Sequence, residues 1–342
     1  MNLRRIGAVV VVSGLVVAAC GKAAEVVAPE IAVRNAAHST FDGQKGTFAL
    51  SLVGDQADLA TLLQPPGAGG VPKSNDDDQQ FLDALAGSKI SVSLDGGDQA
   101  TADDDRFALS VDIGDVERAV ELRVVDKVLY LRGDVAGLAR LFKADTAALS
   151  GMVDGAAQNG FGFVADAIAG KWLSLDLSPL ENLGEGAAQP GAPMPNLDTA
   201  QFSNLLDAVS ETFGTDVDVK RVGEEDPGVH YRLTVPVRRV YERLVPTLGQ
   251  LFTMPGMETL PPATEIPDRT ITLDVWTDDD RINRAELDLG QFAPEPPAGR
   301  VALRVDIDRL DGDVKAPGAA VAVDFAQIFS QLMAGFGATI GS

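Results

Sequence analysis

Apolar and polar residues alternate along much of the chain, in the period-two pattern of β-strands that have one face in solvent. The pattern is clearest at 48–52, 90–94 and 107–113. A hairpin is predicted at 122–131, turning at Asp126-Lys127, although Asp-Lys is a weaker turn signal than Asp-Gly. Further strands are predicted at 171–177, 217–222, 229–235, 271–276, 285–289, 301–307 and 321–323. The chain should therefore contain about eleven strands.

Between these strands the period changes to the helical one. Helices are predicted at 30–40, from Asp134 up to a stop at Gly170, at 198–213, from Pro236 onward with a kink at Pro246, and at 325–336. Most connections are too short for a parallel crossover, so the strands should form antiparallel meanders. The predicted class is α+β.

The first nineteen residues have the order of a secretory signal peptide. Arg4 and Arg5 precede an apolar run at 6–17, and small residues follow. Twelve helical residues reach about 18 Å, short of the roughly 30 Å hydrocarbon layer. The segment is therefore interpreted as a targeting signal that is removed from the mature chain.

Residues 17–20, Val-Ala-Ala-Cys, are similar to a bacterial lipobox, in which the cysteine is acylated before the signal is cut. The alternative is a plain secreted protein with an odd cysteine. We expect Cys20 to be the lipidated first residue, 20–28 to be a tether and 29–338 to be a single domain. Several acyl chains on one residue would hold the protein on the outer face of the cell membrane.

Net charge narrows the range of partners. The whole chain carries −22, and loss of Arg4 and Arg5 leaves −24, which disfavours nucleic acid and anionic headgroups. Cys20 is the one cysteine. Its acylation would leave no thiol for a disulfide, a zinc site or a nucleophile.

The order of elements resembles the lipoprotein-carrier fold of LolA-type periplasmic carriers and of the acylated mycobacterial carriers of the LppX/LprG group. The matching pieces are the helix ending near His38, the strand 129–131 opposite 171–173, and the hairpin 272–284. In that family a curved sheet covered by helices encloses an apolar cavity for acyl chains. The resemblance therefore implies a curved antiparallel half-barrel sheet that carries helices on its concave face. This chain departs from it by longer loops at 64–80 and 184–197.

Large aromatic residues are the candidate ligand contacts. Tyr130, Trp172, Tyr231 and Trp276 lie on predicted strands, and Phe202 and Phe213 lie on the predicted helix 198–213. Each could line an acyl-chain pocket with its polar tip at the mouth, or belong to an ordinary core. The sequence leaves both interpretations open.

Metal and cofactor sites have weak support. His38 and His230 each lack a second histidine at ligand spacing, so structural roles are expected. The acidic runs 76–78, 103–105 and 278–280 read as solvated turns more readily than as calcium ligands. The calcium-loop likeness at 306–312 has its glycine one position late and Pro317 in place of the bidentate glutamate. No cofactor is predicted.

The leading functional expectation is an anchored envelope protein that binds or carries a lipid or another apolar ligand. The alternative is an envelope scaffold with a filled core and a protein partner. A hydrolase ranks third, because no nucleophile elbow, phosphate loop or dinucleotide fingerprint is present.

Overall fold

A computed structural model gives the fold. It describes residues 28–41, 45–63, 76–96, 106–144, 151, 153–156, 158, 161–178, 212, 216–251, 261–278, 280–293 and 296–324. Cys20, Phe202, Phe213, the predicted signal peptide at 1–19 and the segment 325–338 lie outside the described residues. Within the described part of the chain, no helix is both long and apolar enough to span a membrane.

The class is α+β, as predicted. Six described helices run over Pro29–Phe41 (α1), Gln56–Leu63 (α2), Asp76–Ala86 (α3), Val135–Leu141 (α4), Phe163–Ile168 (α5) and Val237–Leu251 (α6). The strands are Lys45–Val53 (β1), Lys89–Asp95 (β2), Arg106–Ile113 (β3), Val116–Val125 (β4), Val128–Gly133 (β5), Leu173–Asp176 (β6), Asp218–Glu225 (β7), Gly228–Pro236 (β8), Thr270–Asp278 (β9), Arg281–Asp288 (β10), Ala302–Asp308 (β11) and Val321–Ala322 (β12). These twelve described strands belong to one mostly antiparallel sheet that is open at β12 and β7.

The chain divides into two compact units. The first comprises 1–46, 52–73 and 189–308, and the second 47–51, 74–188 and 309–342, so that β1 is shared. The expectation of one domain over 29–338 stays a prediction.

In the first unit, strands β11, β10, β9, β8 and β7 are neighbours in that order, and all four neighbouring pairs are antiparallel. Helix α1 contacts β7, β9 and β10, and α6 contacts β8. Val33, Ala36 and Ala37 of α1 are buried, as are Val240 and Leu244 of α6. These apolar helix positions account for the packed core of this unit.

In the second unit the order is β12, β6, β5, β4, β3, β2 and then β1. All pairs from β2 to β6 are antiparallel, whereas β12 pairs with β6 in parallel. This parallel pair departs from the predicted meander, because the chain returns to β6 from a distant part of the sequence instead of through a short turn.

Two local predictions are confirmed and one is wrong, and one helix was not predicted. The β4–β5 hairpin turns at Asp126-Lys127, where both residues have positive φ, and the helical region before β6 stops at Gly170, whose φ is +71°. The loop prediction at 64–80 is wrong at its end, since α3 begins at Asp76 and takes in the acidic run 76–78. Helix α2 was not predicted either. Acidic residues are favourable in the first turn of a helix, because the positive end of the helix dipole lies there.

Candidate functional site

The second unit has a sheet face made of apolar side chains alone. Directly paired residues of neighbouring strands share a face, and successive residues of a strand alternate between faces. The registers therefore place thirteen residues together: Ile90, Val92 and Leu94 of β2, Phe107, Leu109 and Val111 of β3, Val120, Leu122 and Val124 of β4, Leu129 and Leu131 of β5, and Leu173 and Leu175 of β6. We call this set the apolar face.

Strand β1 extends the apolar face. The hydroxyl oxygens of Thr47 and Ser93 lie 3.0 Å apart, so these two residues share the side opposite to Val92 and Leu94. Alternation then places Phe48 and Leu50 on the apolar side.

None of the thirteen residues of the apolar face is fully buried. Ile90, Leu94 and Leu131 keep 39%, 43% and 42% of their surface exposed, and the other ten are half-buried. In the first unit, by contrast, Leu233 and Val275 are 0% exposed. An aliphatic sheet face is therefore left incompletely covered, although apolar surface of this kind normally forms the core of a domain.

The opposite side of the same strands is polar. Glu121 is buried and binds the guanidinium groups of Arg132 and, at 3.4 Å, Arg123. These two guanidinium groups lie over the Trp172 ring, 5.1 and 4.9 Å from its centre. Arg123 also donates to the carbonyl oxygen of Lys315 at 3.0 Å. A charged residue is thus compensated on this side, and the ring of Trp172 is held by two cations.

Tyr130 and Trp172 belong to this polar side. Tyr130 pairs directly with Arg123 and with Ser174, and Trp172 contacts Arg123 and Arg132. The structure therefore brings these two predicted residues together, on the side that does not carry the apolar face. Their role as ligand contacts stays a prediction.

Tyr231 and Trp276 are both buried, in the first unit. Tyr231 pairs with Val275, while Trp276 pairs with His230, so the two aromatic residues lie on opposite sides of the sheet. One pocket on one sheet face cannot be lined by both. Their predicted ligand role is likewise untested, as is that of Phe202 and Phe213, which lie outside the described residues.

His230 has a structural environment, as its isolation in the sequence suggested. Its ring stacks on Trp276 with centres 4.4 Å apart, and its Nε2 lies 2.9 Å from Asp274 Oδ1. Its Nδ1 lies 2.8 Å from a Glu225 oxygen that also accepts from Trp276 Nε1 at 3.1 Å. Nδ1 has no hydrogen-bond partner among the described residues, so the hydrogen bond of the ring is the one at Nε2.

Asp274 belongs to a chain of ion pairs on this side of the first unit. Asp274 also accepts from Arg232 at 2.9 Å and from Arg300 at 3.0 Å. The same Arg300 reaches Glu286 at 2.7 Å, and Arg304 completes the pairing of Glu286 at 2.7 Å. Both buried carboxylates are therefore compensated by cations, which a buried charge requires.

No protein-family model and no curated protein matches this chain. The candidate site therefore depends on the geometry alone, and the apolar face is the feature of the described residues that an ordinary soluble core does not explain.

Metal ligation finds no support among the described residues, where no group of three or more acidic, histidine or cysteine side chains is placed to hold an ion. Asp306, the first residue of the calcium-like stretch, pairs with Arg284 at 2.8 Å. Asp278 ends β9 and Asp280 is in the following turn, whereas the run 103–105 lies outside the described residues.

The sequence contained the signal for the apolar face. The candidate ligand contacts, however, were chosen for their large aromatic side chains. Strands 90–94 and 107–113 were predicted with one apolar side. What the sequence could not give was the register, which aligns those sides across five strands.

Proposed function

We propose that this protein is an exported lipoprotein, anchored on the outer face of the cell membrane through Cys20, that binds a lipid or another apolar ligand against the apolar face. One observation carries the proposal: thirteen apolar side chains share one side of five strands, and none of them is fully buried.

The chemistry of the face selects the ligand class. Its side chains offer no charge and no hydrogen-bonding group, so attraction comes from removing apolar surface from water. At about 25 cal/mol per Å², covering about 300 Å² would contribute about 7.5 kcal/mol before the costs of association. Acyl chains fit this requirement, and the proposal assigns no catalytic step to the site.

The proposed architecture is a sheet curved around this face, with helices on its concave side, which together enclose the ligand. Partial exposure of the face supports an enclosure that the protein's own side chains do not fill. At the usual strand spacing and rise, the apolar face measures about 19 Å across its five strands and about 13 Å along β2.

Substitutions on the two sides of the sheet test the ligand site. We predict that Leu94→Asn with Leu131→Asn weakens binding of the neutral dye Nile red by about tenfold or more, because a loss of about 1.4 kcal/mol of apolar contact is tenfold in affinity. Both leucines are exposed, so the fold should tolerate the change. The readout is a fluorescence titration, accompanied by a thermal unfolding curve.

The matched control places the same two amides on the polar side, as Ser91→Asn with Ser110→Asn. These serines pair directly with each other and lie between residues of the apolar face along their strands. Nile red affinity should remain close to that of the wild type. Equal losses of Nile red affinity in the two double variants, or no loss in either, would show that the apolar face is not the ligand site.

A scaffold without a ligand is the second candidate, favoured by the first unit, where Leu233, Val235 and Val275 are fully buried. A scaffold should yield a stable envelope protein partner on crosslinking in cells, and its capture should weaken with salt if the acidic exterior makes the contact.

A further inference from the structure

We infer that the outer edge of strand β7 binds a second copy of this chain, whose own β7 pairs with it antiparallel and extends the sheet. The inference goes beyond the proposed function and does not depend on the apolar face, which belongs to the second unit. Four observations carry it: the place of β7 in the sheet, the exposure of its side chains, the order of its charges and its β-bulge.

Strand β7 is an edge strand with an accessible surface. Among the described strands it pairs with β8 alone, so its outer edge offers main-chain amide and carbonyl groups to a further strand. Six of its eight residues are exposed: Asp218, Lys220, Arg221, Val222, Glu224 and Glu225. Exposure on this scale leaves the edge within reach of a second chain.

The charges in the last six residues of β7 complement their own reversal. Lys220 and Arg221 are basic, residues 222–223 are uncharged, and Glu224 and Glu225 are acidic. In an antiparallel copy, Lys220 would face Glu225 of the second copy. Arg221 would likewise face Glu224 of the second copy, and two-fold symmetry makes each pair occur twice. Opposite charges in directly paired positions stabilise a β-ladder.

The β-bulge of β7 makes one register specific. The pairing of β7 with β8 shifts after Arg221, where Val222 is the extra residue, so the alternation of sides changes there. Arg221 and Glu224 consequently share one side of the sheet. Lys220 and Glu225 share the other side. Both proposed ion pairs therefore join residues of the same side, whereas a shift by one residue would oppose Lys220 and Glu224, which lie on different sides.

Bulges and charged side chains normally protect an edge strand from pairing with foreign strands. A copy of β7 meets this edge with a matching bulge and with the opposite order of charges. Val222, which is 52% exposed, would lie at the centre of the contact and be covered. In the single chain, Arg221 lies 2.5 Å from Glu224. Exposed ion pairs of this kind are individually weak, so these groups can exchange partners on association.

Charge reversal tests the edge by sedimentation equilibrium of the chain carrying Cys20→Ser, which removes the proposed anchor. With β7 unchanged, the mean mass should rise from one chain to two as the protein concentration increases. Arg221→Glu or Glu224→Arg, each alone, should weaken the dimer about tenfold or more, because like charges then face each other at two positions. An equimolar mixture of the two variants should regain nearly the original affinity, because opposite charges face each other again.

A second variant avoids the contact of Arg221 with β8, where it pairs directly with the buried Tyr231. The side chain of Lys220 is 74% exposed, and Lys220→Glu should also weaken the dimer. Lys89→Glu makes the same change of charge at an exposed position of β2 and should leave the dimer unchanged. Thermal unfolding shows whether each variant folds, and if Arg221→Glu does not, Lys220→Glu decides the question.

A single cysteine tests the geometry. In the proposed register the two copies of Val222 lie diagonally adjacent at the two-fold axis, and Cys20→Ser leaves no other thiol. A short bismaleimide should join two chains that carry Val222→Cys. Thr272→Cys, at an exposed position of β9, is the control and should give little joined product.

Three results would overturn the inference. The first is a mass that stays at one chain over the whole concentration series. The second is a dimer that the charge reversals at Lys220, Arg221 and Glu224 leave unchanged, which would assign association to another surface. The third is a mixture of folded Arg221→Glu and Glu224→Arg that associates no better than either variant alone.

Discussion

In each unit, one side of the sheet carries buried carboxylates that are paired with arginines. Asp274 and Glu286 are buried and share Arg300, while Glu121 is held by Arg123 and Arg132. Because a buried carboxylate is costly without a cation, these sides of the strands are committed to ion pairs. The apolar side of β2 to β6 carries no such ion pairs among the described residues, and we therefore propose it as the ligand site.

Tyr241 offers a pH test at the residue scale. Its hydroxyl donates to the carbonyl oxygen of Pro261 at 2.5 Å. Burial raises the pKa of Tyr241, and the nearby Glu265 carboxylate raises it further. A folded-state pKa above the unfolded value means that the stabilising contribution is complete below about pH 10 and is lost as pH rises through the folded-state pKa.

We therefore predict that Tyr241→Phe lowers the free energy of unfolding by about 1 kcal/mol at neutral pH, through loss of one hydrogen bond. The difference from wild type should shrink as pH rises above about 10, because only the wild type has this phenol to ionise. Urea unfolding at a series of pH values measures both effects. A difference that stays constant into the alkaline range would contradict the assigned cause.

At the scale of elements, the hairpin β4–β5 shows what local sequence decides and what it leaves open. Asp126 and Lys127 have φ values of +51° and +62°. Positive φ at both central residues is the geometry of the tight hairpin turn that Asn-Gly or Asp-Gly would favour. The chain holds this turn with Lys127 because the paired strands on both sides impose it.

Replacing that lysine should stabilise the hairpin. We predict that Lys127→Gly raises the free energy of unfolding by about 0.5–1 kcal/mol, because glycine adopts positive φ without a Cβ penalty. Lys89→Gly in strand β2 is the matched control and should lower stability, since an extended position gains nothing from glycine. Chemical denaturation of both variants compares them. A loss of stability in Lys127→Gly as well would show that the lysine side chain contributes more than its backbone costs.

Period-two patterns predicted the strands well, because alternation is a local property. They predicted neither α2, for which no element was expected, nor α3, whose first residues fall in the predicted loop 64–80. They could not predict that Tyr231 and Trp276 occupy opposite sides, since that depends on the register of β8 on β9. The aromatic candidates were chosen by size, whereas the apolar face is aliphatic except for Phe107 among its thirteen members.

At the scale of the whole molecule, the proposed function combines a membrane anchor at Cys20 with a ligand site on the apolar face. The N-terminal pattern around Arg4, Arg5 and Cys20 predicts that the mature chain begins with an acylated cysteine. Mass spectrometry of the purified mature protein should find Cys20 at the N-terminus with added acyl mass. Cys20→Ala should be released from membranes, while the wild type stays bound. An unmodified mature N-terminus, or equal release of both proteins, would contradict the anchor.

We propose above that an apolar ligand occupies the apolar face of the second unit. The test is organic extraction of the chain carrying Cys20→Ser, purified from the unanchored protein that its own cells release, followed by lipid mass spectrometry. We predict a co-purifying lipid in near-stoichiometric amount, greatly reduced in Leu94→Asn with Leu131→Asn and retained in Ser91→Asn with Ser110→Asn. Extracts without lipid, or with the same lipid content in all three proteins, would contradict it.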